Sequence, residues 1–297
     1  MSEEKKNVRE GGYRCVVCIK QVPDTGKVTG DAMKADGTIN RAALPAIFNP
    51  EDQNALEAAL KVRDQHGGTV TVITMGLPSA CAILREALMC GADKAYLVTD
   101  RRAAASDTLA TSYILAQAVK MLKPDLVFCG RQAIDGDTAQ TGPQIAEKLG
   151  ATLVTYLEGL EIKDGYAYAT RNIGTGTEKV KAKLPALFTV MEKCGELRPF
   201  EVRRAMKYKK ARAPMELSKE TAEADYAALK AKGLDIGQWS LDDIACDLTR
   251  CGKAGSPTLV NKIVNVVLSG GEFQEYQPTD EDVGRLVGSL IADHTIG

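Results

Sequence analysis

The densest run of small, polar and flexible residues lies between Gly130 and Gly142, reading Gly-Arg-Gln-Ala-Ile-Asp-Gly-Asp-Thr-Ala-Gln-Thr-Gly. Gly130, Gly136 and Gly142 let another backbone or a ligand come close. Thr138, Gln140 and Thr141 offer short donors where a helix is expected to begin, and the free N–H groups of a helix N-terminus favour phosphate. Asp135 and Asp137 would repel phosphate if they faced it, so they are expected to cap that helix or to meet a ribose or a ring N–H. Two readings stand side by side: a capped strand–helix turn, and a loop that cradles a nucleotide. A second loop of interest, Cys18-Ile-Lys-Gln-Val-Pro23, follows the first strand.

Other chemistry is poorly represented. There is no G-x-x-x-x-G-K-[ST] phosphate loop and no G-x-S-x-G elbow. Gly174-Thr-Gly176 lacks the third glycine of a dinucleotide fingerprint. The two histidines, His66 and His294, read as a helix C-terminal residue and a tail residue, neither catalytic. Cys15 and Cys18 form a C-x-x-C pair, but on a strand positions i and i+3 point to opposite faces, which argues against a metal clip or redox dithiol. Cys246 and Cys251 have no second ligand pair nearby, so zinc is not expected. The eight cysteines read as reduced and mostly buried. No side-chain constellation suggests bond-making chemistry by the protein itself, which leaves that work to a bound cofactor.

Stepping outward from the loops, the first half alternates short apolar runs with helical patterns. Strands are expected at 15–19, 69–75, 95–98 and 126–129, and helices from Asn49-Pro50, from about Ser79 to Cys90, from Asp107 to Leu122 and from about Thr138 to Leu149. Asn49 suits the N-cap of its helix and Pro50 the first helical position, with Glu51 and Asp52 complementing the dipole. The segment from Gln21 to Phe48 reads as a long loop. Continuous apolar strands between helices predict a doubly wound, mostly parallel α/β sheet, whose ligands bind beyond the carboxyl ends of the strands. After Gly150 strands are expected at 153–163, 166–173, 177–183 and 186–191, joined by tight turns such as Asp164-Gly165, as an antiparallel extension. Beyond them a basic run (Arg203, Arg204, Lys207, Lys209, Lys210, Arg212) leads into a weakly cored arm with amphipathic pieces at 221–232, 240–248, 259–268 and 279–291. That run reads either as a solvated helix end or as a docking surface for an acidic partner. The expected division is an N-terminal extension at 1–12, an α/β domain at 13–207 and a C-terminal arm at 208–297.

The composition is consistent with this. The chain has 297 residues, 44% of them hydrophobic, enough to bury a core without staples. A net charge of −1 and 5% aromatics argue against nucleic acid as a partner. No apolar run reaches a membrane span, and the charged N-terminus lacks an apolar signal core, so the expected location is the cytoplasm.

Five motifs in order then resemble the beta subunits of electron transfer flavoproteins. They are Lys20-Gln-Val-Pro-Asp-Thr25, Asn49-Pro50 with Glu51 and Asp52, Gly91-Ala92-Asp93, the Gly130–Gly142 segment, and Lys183-Leu-Pro-Ala-Leu-Phe-Thr189. The resemblance covers about residues 13–210 well and the tail loosely; residues 1–12 depart from it. It implies an adenine-nucleotide-binding α/β domain paired with a flavin-holding alpha subunit. The positions it places against the nucleotide are Cys18, Asn49, Pro50, Glu51, Asp52, Met75, Arg131, Gln132, Ala133, Ile134, Asp135, Gly136, Asp137, Thr138, Ala139, Gln140, Thr141 and Gly142. It also implies dehydrogenase docking through the segment with Phe200, Val202 and Arg203, and a tail that wraps the alpha subunit. Two kinds of beta subunit exist within the resemblance. One holds a structural AMP. The other holds a second FAD, oxidises NADH and bifurcates electrons to ferredoxin or flavodoxin and to an acyl-CoA dehydrogenase-type partner. Gly136, where the first kind often carries another acid, and the Pro-Glu-Asp after Asn49 resemble the second. The contrasting expectation is a stand-alone nucleotide-binding module, against which the long tail and the basic run count.

Overall fold

The computed structural model describes residues 11–24, 44–218, 220–258, 274–293 and 295–296. The expected piece at 259–268, His294 and nearly all of the N-terminal extension lie outside the described residues.

The centre of the sheet is β1 (Tyr13–Cys18), flanked in parallel by β4 (Gly68–Met75) and β6 (Leu126–Gly130). Its alternate side chains enter opposite cores: Cys15 and Val17 join one, Val16 and Cys18 the other. Burial on both faces is why residues 15–18 are apolar without alternation. Outward from β4 lies β5 (Lys94–Val98), also parallel. The helices cover the two faces: α1 (Pro50–His66) and α2 (Cys81–Cys90) pack on one, α3 (Thr108–Leu122) and α4 (Thr141–Leu149) on the other. The expected doubly wound α/β class is observed.

Four expectations are corrected. First, Ala186–Val190 (β10) is not part of the antiparallel extension. It inserts between β6 and β7 (Thr152–Lys163), parallel to both, with all five residues buried. Only β7's distal half, β8 (Tyr166–Asn172) and β9 (Thr177–Lys183) form the antiparallel part. The β7–β8 turn has φ of 53° at Asp164 and 75° at Gly165, the left-handed pair that matches strand twist in a two-residue hairpin. Second, the loop at 21–48 carries a small ladder, β2 (Gln21–Pro23) with β3 (Ala46–Phe48), antiparallel. Residues 25–43 between them lie outside the described residues.

Third, α4 begins at Thr141 rather than Thr138. Asp137 and Ala139 have φ of 48° and 53°, which no right-handed helix can include.

Fourth, the arm after residue 207, expected to be weakly cored, adds to the sheet and its cores. β11 (Gly237–Trp239) adds to the sheet parallel to β5, Trp239 stacks on Tyr96 at 4.1 Å, and Ala211, Ala213, Ile236, Leu241, Ile244 and Cys251 are buried. The piece at 240–248 is a series of turns, because Asp243 folds back onto the Ser240 N–H (2.7 Å) and Ala245 is left-handed. Two helices appear where amphipathic pieces were expected, α6 (Ala222–Ala231) and α7 (Asp280–Ala292). In the basic run, α5 (Val202–Tyr208) uses Arg204 to donate to the Leu88 and Ala92 carbonyls at the end of α2, so that cation is structural rather than solvated.

Candidate functional site

The sheet order β5-β4-β1-β6-β10 reverses direction of travel at β1: the chain moves outward to β4 and β5, then crosses back to β6. The loops leaving β1 and β6 therefore diverge to opposite faces, and a crevice opens beyond their carboxyl ends. A cleft of about 440 Å³ lies there. That volume suits a small-molecule or cofactor site.

The N-terminus of α1 organises both loops. Asp52 Oδ1 accepts from the Gly130 N–H (3.0 Å) and Oδ2 from the Lys20 N–H (2.8 Å), tying the two strand ends together. Burial pushes the Asp52 carboxyl up to about 7, against the two backbone N–H groups that favour its charged form. Glu51 holds Arg131 through both carboxylate oxygens (2.8 and 3.2 Å) and also accepts from the Gln132 N–H (2.9 Å). That pairing raises the Arg131 guanidinium further, so the cation at the cleft wall is permanent. Asn49 is the residue before the helix, but its side chain does not cap it. Instead Nδ2 donates to the Gln132 carbonyl (2.9 Å) and Oδ1 accepts from the Ile134 N–H (3.2 Å). Gly130 is required by close approach: a Cβ there would lie 2.5 Å from Asp52 Oδ1 and 2.7 Å from the Glu51 carbonyl carbon.

The two acids of the loop do not cap α4. Lys20 Nζ grips Asp135 through both oxygens (2.7 and 2.8 Å), neutralising it. Asp137 accepts from Gln132 Nε2 (3.0 Å). Gln140 stands at the N-cap of α4 with no side-chain cap of its own; its Oε1 accepts from the Thr108 hydroxyl (3.0 Å). The first N–H groups of α4 are thus uncapped by side chains, beside the permanent cation of Arg131. This arrangement fits an anionic, phosphate-bearing ligand.

Of the positions expected from sequence, the structure brings Cys18, Asp52, Met75, Arg131, Gln132 and Ala133 to the cleft surface, followed by Gly136, Asp137, Thr138, Ala139, Gln140, Thr141 and Gly142. Asn49, Pro50, Glu51, Ile134 and Asp135 stand one layer behind, and four of the five hold the loop: Asn49, Glu51 and Asp135 by side chain, Ile134 by its N–H. Pro50 opens the helix that carries Asn49 and Glu51. Lys20, which also lines the cleft, belongs to the second loop singled out from sequence; the sequence reading missed Cys129 and the wall formed by Ser106, Asp107, Thr108 and Thr111. The signal for that wall was legible: Ser-Asp-Thr before α3 is also a polar turn at a strand's carboxyl end. Among the described residues no cluster of three or more histidine, cysteine or acidic side chains could hold a metal ion. Nor is any described helix long and apolar enough to cross a membrane.

Residues 36–229 match the electron transfer flavoprotein domain. The electron transfer flavoprotein subunit beta of Clostridium acetobutylicum is 42% identical over 282 residues, covering 95% of this chain and 99% of that one. The caffeyl-CoA reductase-Etf complex subunit CarD of Acetobacterium woodii is 40% identical over 286 residues, 95% and 100% of the two chains. The acryloyl-CoA reductase electron transfer subunit gamma of Anaerotignum propionicum is 39% identical over 288 residues, again 95% and 100%.

Proposed function

The chain belongs to the electron transfer flavoprotein family, on the beta-subunit side, and on that premise we propose that its cleft holds FAD and that, with an alpha subunit, it oxidises NADH and bifurcates the electrons. The observation that carries this reading is at Gly136. This residue lines the cleft, and a Cβ added there would meet nothing within 4 Å. The wall is open where a further acid would fill and charge it, which leaves room for a dinucleotide.

When bound, such a flavin accepts an electron pair and releases it one electron at a time. The chain's own residues bind and orient it. Arg131, fixed by Glu51, and the uncapped start of α4 meet its phosphates. Asp137 and the Thr108–Gln140 pair offer polar contacts for ribose or ring atoms, and Cys18, Met75 and Cys129 provide the less polar floor. Among the described residues that line the cleft, no side chains are arranged as a nucleophile–base pair, in keeping with a site that positions a cofactor. The acceptors we assign are ferredoxin or flavodoxin on one side and an acyl-CoA dehydrogenase-type partner, through the alpha subunit, on the other. The relatives from caffeyl-CoA and acryloyl-CoA reductases favour a partner of that chemistry. We place the complex in the cytoplasm.

The second reading is a single-flavin carrier with AMP in this cleft. A stand-alone module is disfavoured by the exposed apolar residues Phe200, Val202 and Met206 around α5 and by the unburied apolar side of α7 (Val283, Val287, Ile291), which suit partner contacts. The test is a cofactor count on the purified heterodimer after denaturation. Two FAD and no AMP support the proposal; one FAD and one AMP overturn it.

A further inference from the structure

We infer that Cys18 and Cys129 form an oxidative modification site: a dithiol on the cleft floor that peroxide-class oxidants close to a disulfide, blocking nucleotide binding.

The two residues are direct cross-strand partners on β1 and β6, in register. Both side chains point to the same face, and both line the cleft. They are 8% and 6% exposed, and the cleft is the side from which a small oxidant reaches them. Neither is in a disulfide, and both are free, buried thiols. Adjacent strands lie about 4.8 Å apart, inside the roughly 4.4–6.8 Å Cα separation that disulfides span. Cys18 is the last residue of β1, and Cys129 is followed by the glycine that ends β6, so the pair lies at the carboxyl edge of the ladder, where the cleft begins. Cys15, the other half of the C-x-x-C motif, is on the opposite face of the sheet and cannot compete.

The chemistry balances with peroxide as oxidant. Cys18 sulfur attacks one peroxide oxygen, becoming a sulfenic acid, and its proton leaves with the other oxygen as water. Cys129 sulfur then displaces the sulfenic oxygen as a second water, and its proton leaves with that oxygen. Two thiols lose two protons and two electrons, and peroxide becomes two waters. The new bond lies on the cleft floor between the residues that carry the Lys20 and Gly130 N–H donors to Asp52, and it removes both thiols from the surface the floor presents to a ligand.

The experiment treats the alpha–beta heterodimer, stripped of nucleotide or loaded with FAD, with hydrogen peroxide. Free thiols are then alkylated and the peptides mapped by mass spectrometry, and FAD binding to the stripped, oxidised protein is titrated before and after dithiothreitol. The expected result is a Cys18–Cys129 cross-link in the stripped protein and an FAD affinity reduced by at least about tenfold that dithiothreitol restores. In Cys129→Ala the peroxide-dependent loss disappears. Cys246 and Cys251, a second pair of free cysteines close in sequence and outside the cleft, serve as the internal comparison. Alkylatable Cys18 and Cys129 after peroxide, a cross-link confined to Cys246–Cys251, or a Cys18–Cys129 cross-link with unchanged binding would each overturn the inference. The cross-link does not depend on which nucleotide the cleft takes. If the stripped protein binds AMP and not FAD before oxidation, the flavin reading fails by itself, and the affinity arm is read with AMP.

Discussion

Asn49 and Ile134 are joined across 85 positions of chain: the Asn49 Oδ1 accepts the Ile134 N–H at 3.2 Å, in a site where Asn49 is wholly buried. With its amide donating to the Gln132 carbonyl, this one side chain satisfies two backbone groups of the loop that walls the cleft. The loop's left-handed turns at Asp137 and Ala139 follow directly from that anchored stretch.

Replacing Asn49 by alanine leaves the part-buried Gln132 carbonyl and Ile134 N–H without these partners. Each orphaned group costs about 1–3 kcal/mol. We expect Asn49→Ala to lower unfolding free energy by about 2–4 kcal/mol in urea titrations and to weaken nucleotide binding. Asn49→Asp keeps the acceptor for Ile134 but sets a carboxylate oxygen against the Gln132 carbonyl, and should do no better than alanine.

Asp52 predicts a pH dependence with a definite sign. Its folded-state pKa is raised by burial to about 7. Between the ordinary carboxylate range and about 7 the folded chain therefore holds a proton that the unfolded chain has released. Stability from this group is fully present below that ordinary range and is lost as pH rises through about 7. Urea midpoints measured from pH 5 to pH 8 should fall, and Asp52→Asn should flatten that slope. The same variant turns an amide N–H toward one of the two backbone donors, at a pH-independent cost of about 1–3 kcal/mol.

Gly130→Ala tests the close approach of β6 to α1. The added methyl would meet the Glu51 carbonyl carbon at 2.7 Å and the Asp52 nitrogen at 2.8 Å, both backbone atoms that cannot swing aside. We expect a loss of about 1–3 kcal/mol, with weakened ligand binding because the Gly130–Asp52 hydrogen bond must lengthen. An unchanged thermal midpoint would show that α1 can slide away from the strand.

Gly136→Asp separates binding from folding. Open space surrounds the position, so stability should stay within about 0.5 kcal/mol of the parent. The new carboxylate joins Asp137 on the cleft wall and should lower FAD content of the heterodimer through crowding and repulsion. Equal FAD content in parent and variant, measured after denaturation, would remove the argument from Gly136.

Local pattern was enough for most elements. The apolar runs at 15–18 in β1 and 126–129 in β6 demand burial on both faces, and Asp107 caps α3 through the Ala110 N–H (3.0 Å) where its position predicts. The composition of the Gly130–Gly142 segment marks it as either a capped strand–helix turn or a nucleotide loop, and the fold brings most of it to the cleft. Local pattern failed where a residue's partner was remote. Asn49 reads as a helix cap because only its immediate neighbours are visible along the chain, yet its hydrogen bonds reach 83 and 85 positions away. Ala186–Val190 follows three strands joined by short turns and reads as their continuation. Its five buried residues need cover on both faces, and the central slot between β6 and β7 provides it. The Ser106–Thr108 wall and the Cys18–Cys129 pair belong to the same class. Which loops and thiols meet is set by strand order, and strand order comes from how apolar faces are shared among all the elements at once.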